Sequence, residues 1–208
     1  MPEVDPISIL ESLKAPKNIQ GMKQMFRYAE ERFGGKKFDV DIFEKYSTKI
    51  RNRNQFKANV IQEIGKMFTF SYRPLAYATI PYYDINPLIF TLAIPSNEEV
   101  IGMNFHYLAP SQRAIAYQTV SNLITDINRG DKSRLRLIYD IMKTKKRYIR
   151  NMVCIRKYKT SRIRSKVYEI DPKYWEIALT VPTQMFVKRN EKNVYMDTNI
   201  QIRKLLGN

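Results

Sequence analysis

One histidine, one cysteine and a few carboxylates are the groups in this 208-residue chain that could make or break bonds. His106 lies in Phe105-His106-Tyr107, inside a stretch patterned like a strand. As a general acid or base it needs a partner group that the sequence does not place beside it. As a metal ligand it needs companions, and the chain offers no second His and no second Cys. His106 is therefore expected to serve structure, by packing or by a buried hydrogen bond. Cys154 sits in Asn151-Met-Val-Cys-Ile155, an apolar island among cations. Nearby cations lower a thiol pKa, but such an island favours burial as a small hydrophobe. Asp84 and Glu98-Glu99 fall in expected turns, where acids serve the backbone. No Walker A sequence, G-x-S-x-G, H-E-x-x-H or Rossmann glycine pattern occurs. The expectation is a non-enzymatic protein with no cofactor, no metal and no small-molecule substrate. A small enzyme centred on His106 is the weakest alternative.

The stronger chemical signal is charge. Arg129 to Lys166 holds 15 of the chain's 36 Lys and Arg and only two acids, a local +13 out of a formal +16. The flanking regions carry +5 over residues 1–73, −3 over 74–128 and +1 over 167–208. A block this lopsided makes a directional field that attracts phosphate or an acidic protein surface. The candidate contacts are Arg136, Lys143, Lys145, Lys146, Arg147, Arg150, Arg156, Lys157, Lys159, Arg162, Arg164 and Lys166. Tyr148, Tyr158 and Tyr168 are interleaved where they could stack on bases. No DNA-reading motif is present, so nucleic-acid contact would be non-specific. Double-stranded DNA and an acidic protein partner both remain open.

Positioning these groups requires a core, and 44% hydrophobic and 12% aromatic residues suffice to build one. With a single cysteine, no intrachain disulfide can form, which suits a reducing compartment. The acidic, proline-broken start lacks the regions of a signal peptide. The longest uncharged runs, Ile85–Asn97 and Val100–Gln112, are 13 residues each, short of the roughly 20 a membrane span needs. A soluble protein without membrane contact is expected.

The expected fold class is α+β: a small antiparallel sheet or partly open barrel flanked by helices, with a helical N-terminal arm. Residues 1–66 form the arm, 67–187 the core domain carrying the basic helix and segment 129–166, and 188–208 a tail. In the arm, Met22, Met25, Phe26, Ala29 and Phe33 have helical spacing and end at Gly34-Gly35, a C-cap signal. A second helix is predicted over roughly Val40–Glu63. Met67–Tyr72 alternates with period two, with Phe68, Phe70 and Tyr72 on one face. Leu88–Ile94 and Val100–Leu108 read as further strands, and Trp175–Val181 as one returning to the sheet. Ser111 is the expected N-cap of a helix with Ile115, Val120, Leu123 and Ile127 on its apolar side. A following helix places Arg136, Asp140, Lys143, Arg147 and Arg150 on one face. Arg156–Lys166 is ambiguous: a strand would gather Arg162, Arg164 and Lys166, whereas a helix would spread them. The end, Pro182–Asn208, reads as a short helix, a turn and an exposed terminus.

The segments Met67-Phe-Thr-Phe-Ser-Tyr-Arg73, Pro81-Tyr-Tyr-Asp84, Asn86-Pro-Leu88 and Gly102-Met-Asn-Phe-His-Tyr-Leu108, followed by Arg113, share a pattern with a known family. Tyr158, Arg162-Ile-Arg164, Trp175-Glu-Ile-Ala178 and Pro182-Thr-Gln-Met-Phe186 continue it. Over about residues 67–187 the chain resembles small virion-associated proteins of large contractile-tailed (myovirus-type) phages, marked by a G-x-N-x-H-Y-L motif. Members are labelled virion structural proteins or protectors of packaged DNA ends. The resemblance implies a structural or assembly component, present in the virion and in the host cytoplasm during assembly. It would dock to other virion proteins of a tail, baseplate or neck through its basic face. Alternatively, it binds and protects the ends of packaged DNA. No active site is carried over, and residues 1–66 lie outside the resemblance.

Overall fold

The computed structural model describes residues 5–11, 18–56, 63–128 and 154–206. Its strands are β1 (Ser47–Arg51), β2 (Met67–Thr69), β3 (Tyr83–Asp84), β4 (Leu88–Ser96), β5 (Glu99–Asn104), β6 (Ile155–Lys159), β7 (Val167–Ile170) and β8 (Phe186–Val187). Six of them form one open antiparallel sheet in the order β1-β7-β2-β4-β5-β6, and β3 pairs with β8 in a separate ribbon. The fold is α+β, as expected, with an unclosed sheet.

Period-two alternation divides the sheet's side chains between two cores. Met67, Leu88, Phe90, Tyr168 and Ile170 belong to the larger core, on the helical side. Phe68, Ile89, Val100, Tyr158 and Val167 join Phe56, Phe70, Tyr72 and Ile163 in a smaller aromatic core on the other side. There Phe70 and Tyr72 meet Tyr158 edge to face, with centroids 5.6 and 5.0 Å apart, the arrangement ring quadrupoles prefer.

The helices are α1 (Pro6–Glu11), α2 (Ile19–Phe33), α3 (Arg53–Phe56), α4 (Pro110–Asn128), α5 (Trp175–Thr180) and α6 (Glu191–Leu206). As its spacing predicts, α2 buries Met22, Met25, Phe26 and Ala29 and ends at Gly34, which adopts φ 54 and donates its N–H to Glu30 O. Among the described residues, no helix is long and apolar enough to cross a membrane.

Several elements differ from expectation. In place of one helix over Val40–Glu63 there is a 3-10 turn (Val40–Tyr46), then β1 and α3, with residues 57–62 outside the described set. Pairing with β7 overrides the local helical period, and an ion network fixes the register. Arg51 bonds Glu63 at 2.6 Å and Glu169 at 2.5 Å, while Lys66 lies 3.1 Å from both carboxylates. Trp175–Thr180 is helix α5, not a strand. Asp171 accepts from Lys173 N–H at 3.1 Å and Pro172 opens the preceding turn, so a helix-start signal governs a short run whose all-round burial hides its period. Helix α4 starts at Pro110, ahead of Ser111, and Gln112 Oε1 accepts from the Ala109 N–H at 3.2 Å. Its described buried side chains are Arg113, Ala114 and Tyr117, while Ile115 is 53% exposed. The chain end forms the long α6, docked by Val194 and by Thr198, whose hydroxyl donates to Tyr107 O at 2.8 Å. The helix expected to carry Arg136–Arg150 lies outside the described residues.

Candidate nucleic-acid interface

The strand expected over Val100–Leu108 stops at Asn104 because the Asn104 side chain accepts from the His106 N–H at 3.0 Å, turning Phe105–Tyr107 into a 3-10 turn. That turn aims His106 inward. Its Nδ1 lies 2.7 Å from Asp84 Oδ2 and its Nε2 3.4 Å from Thr183 Oγ1. A carboxylate only accepts, so Nδ1 carries the proton and Nε2 accepts from the hydroxyl. Burial holds the His106 pKa below its ordinary value, against the opposing pull of Asp84, and keeps the ring neutral. Asp84 also accepts from the Asn104 amide at 3.1 Å and from the N–H groups of Asn86 and Met185 at 3.1 and 3.0 Å.

Hydroxyl, imidazole and carboxylate in this order form the arrangement that activates a nucleophile. Here Thr183 and His106 are both 0% exposed, so no substrate atom reaches the hydroxyl. The group is a clamp, as expected for His106. It joins the β3–β8 ribbon to β5 and, through the Asn104 bond to the Tyr158 hydroxyl at 3.2 Å, to β6. Buried Arg113 extends the clamp, donating to Leu108 O at 2.9 Å, Leu179 O at 3.3 Å and the Tyr195 hydroxyl at 2.8 Å. Cys154 is buried as anticipated, and burial pushes its thiol up to about 11.

Of the predicted contact residues, Arg136, Lys143, Lys145, Lys146, Arg147 and Arg150 lie outside the described residues, as does Tyr148. The other six divide by what each touches. Lys157 pairs with Glu99 at 3.2 Å and Lys166 with Glu44 at 3.3 Å. The Arg156 guanidinium lies over the Tyr107 ring, 4.8 Å from its centroid. Lys159, Arg162 and Arg164 have no ion pair among the described residues, and Lys159 and Arg164 are exposed. Tyr158 and Tyr168 are not stacking platforms: they are 4% and 1% exposed, because strand alternation turns both rings into the cores.

The segment after β6 is neither all strand nor all helix. It forms a 3-10 turn at Thr160–Arg162, then runs beside the chain that follows β2. Arg164 N–H donates to Ser71 O at 2.8 Å, and Ser71 N–H to Ser165 Oγ at 2.8 Å. Arg73 N–H donates to Arg162 O at 3.2 Å. These bonds bring exposed Arg73 to the same edge. Charge counting missed it because it stands 56 positions before Arg129, in a region of ordinary composition. The signal that could have found it is the motif Met67–Arg73, which ends in a cation where a strand leaves the core.

Fold and site together define a basic α+β protein with a buried hydrogen-bonded clamp around Asp84 and His106 and, at one edge, cations that have no ion pair among the described residues. The chain belongs to the family described as Phage T4 terminal DNA protecting protein, whose family model matches residues 28–201. The match runs well beyond the expected 67–187 and takes in the last turns of α2, the 3-10 turn and β1. No curated protein and no solved structure matches the chain.

Proposed function

We propose that this protein binds and protects the termini of phage DNA, using the basic edge of Lys159, Arg162, Arg164 and Arg73 to hold phosphates. The family match over residues 28–201 carries this reading, since that family is described by protection of terminal DNA. The three cations of the Lys159–Arg164 segment, unpaired among the described residues, supply the matching chemistry. Phosphate contacts give binding without sequence preference, which suits an activity that must work on whatever sequence stands at the end. Arg136, Lys143, Lys145, Lys146, Arg147 and Arg150 are proposed to add to the same field. Protection in this scheme is occlusion, with no reaction and no cofactor.

The docking role in a tail, baseplate or neck, first in order on the sequence alone, becomes the second reading, because the family's description names DNA and no particle subunit. Other virion proteins remain proposed partners through the same face.

The test is protection of a linear duplex from an exonuclease, together with binding measured against salt. End protection and an affinity that falls steeply with salt are expected. Absence of duplex binding at about 50 mM salt, where such contacts are strong, together with stable assembly onto another virion protein, overturns the DNA reading in favour of docking.

A further inference from the structure

A positive surface binds duplex DNA anywhere along its length, because one phosphate resembles the next. Recognising a terminus takes contact with something only a terminus offers, and the uncovered face of the last base pair is such a feature. The loop between β2 and β3 carries groups suited to it. Leu75 is 60% and Tyr77 42% exposed. The Arg73 guanidinium sits 3.8 Å from the Tyr77 ring centroid, and the Arg73 N–H bond to Arg162 O places this loop against the cations that have no ion pair among the described residues.

The loop is a formed structure. The N–H groups of Thr79 and Ile80 both donate to Ala76 O at 3.0 Å. Lys188 Nζ reaches across to donate to Ala78 O at 2.6 Å and Ile80 O at 3.2 Å. Lys188 adopts φ 67, a left-handed conformation that is unfavourable for a residue with a Cβ, and from it makes both bonds to the loop.

We propose that Leu75 and Tyr77 form a stacking platform for the terminal base pair of duplex DNA, with Arg73, Arg162 and Arg164 on the adjoining phosphates. This rests on the end-binding reading and adds the groups that distinguish an end from the duplex interior. Charge selects the occupant. A flat apolar face edged by phosphates fits exposed apolar side chains edged by cations, whereas a second copy of this chain would bring the same positive charge to the same place.

The experiment uses the full chain and compares a blunt linear duplex with a covalently closed circle of the same sequence, reading terminal stacking from 2-aminopurine at the last position. The wild-type protein is expected to prefer the linear form and to change the terminal fluorescence. Tyr77→Ala should lose that preference by about ten- to a hundredfold, the size of one base–aromatic stacking contact, and Leu75→Ala should lower it by a smaller factor, as loss of an aliphatic contact. Both should bind the circle as before, which also shows that they fold. Tyr77→Phe should keep the preference, since stacking needs the ring and not the hydroxyl. Alanine variants that retain end preference and fluorescence change overturn the platform and leave end protection standing. The same holds if they weaken circle and linear binding equally, or if Tyr77→Phe behaves like alanine. Wild-type protein that does not distinguish the two forms removes end binding and the platform together.

Discussion

The clamp around Asp84 and His106 and the basic edge at Lys159–Arg164 meet along β5 and β6, yet they treat polar groups in opposite ways. In the clamp every carboxylate lone pair has a donor: Asp84 takes four hydrogen bonds, from His106, Asn104, Asn86 and Met185. At the edge, one turn of chain further on, Lys159, Arg162 and Arg164 have no carboxylate among the described residues. The difference separates two uses of polar side chains. Groups satisfied inside the molecule specify the fold, because leaving any of them unpaired while buried is costly. Groups left over at the surface cost the fold little and are available to something outside it.

That contrast predicts a ranking of effects on stability. The largest belongs to Asp84→Ala, which strands the His106 ring N–H, the Asn104 amide and two backbone N–H groups in a dry site. Removing one member of such a buried charged group costs on the order of 3–5 kcal/mol. Urea unfolding followed by circular dichroism measures it, and a loss under about 1 kcal/mol would mean the clamp does not hold the ribbon to the sheet. Gly102→Ala comes next. A Cβ there would lie 2.9 Å from Ile89 Cβ and 3.3 Å from the Phe90 carbonyl oxygen, atoms fixed by the β4–β5 pairing. Overpacking of that kind costs roughly 1–3 kcal/mol, and the same unfolding experiment reads it.

Gly102 shows what the sequence made legible, and Asp84 what it hid. Gly102, Asn104 and His106 stand out as a motif, and the motif marks a packed centre: a glycine where strands approach closely, an asparagine that ends the strand and a histidine turned inward. The alternation of Met67–Tyr72 separates two cores correctly because a strand's period is local. What stayed hidden depends on distant partners. Asp84 reads as a turn acid until β3 pairs with β8 and brings the Met185 N–H to it, with Thr183 reaching His106 beside it. β1 reads as helix until β7 lies beside it. Tyr158 and Tyr168 look available for stacking within a basic run, and pairing of their strands buries them. The basic block was legible as charge, but counting could not sort Lys157 and Lys166, which have acids beside them, from Lys159 and Arg164, which have none among the described residues.

A smaller effect on stability follows from pH. His106 is held neutral by burial, with its folded-state pKa below the ordinary 6.5. As pH falls below 6.5 the unfolded chain takes up a proton that the folded chain refuses, so stability present above that value is lost as pH descends toward the folded pKa. Melting temperatures at pH 7.5, 6.5 and 5.5 should fall in that order, and His106→Gln should flatten the decline. A decline of equal steepness in His106→Gln would assign the pH dependence to other groups and separate the clamp from it.

The smallest effect on folding is expected at the edge, and there the contrast is most exposed to failure. Replacing Lys159, Arg162 and Arg164 together by Gln should leave unfolding free energy within about 0.5 kcal/mol of the wild type, as surface changes without partners generally do. The same variant should lower the slope of log affinity for duplex DNA against log salt by up to about 2.7, at roughly 0.9 per phosphate contact. Lys157→Gln with Lys166→Gln is the matched comparison, because each removes a cation that already has Glu99 or Glu44 beside it. That double variant should forfeit only the modest worth of exposed ion pairs, about 0–1 kcal/mol each, and change the salt slope less per residue. Equal slope changes per charge removed would mean that DNA responds to the total field and not to which cations are unpaired. Binding would then belong to the whole basic block, and the unpaired edge would lose its claim to be the place of contact.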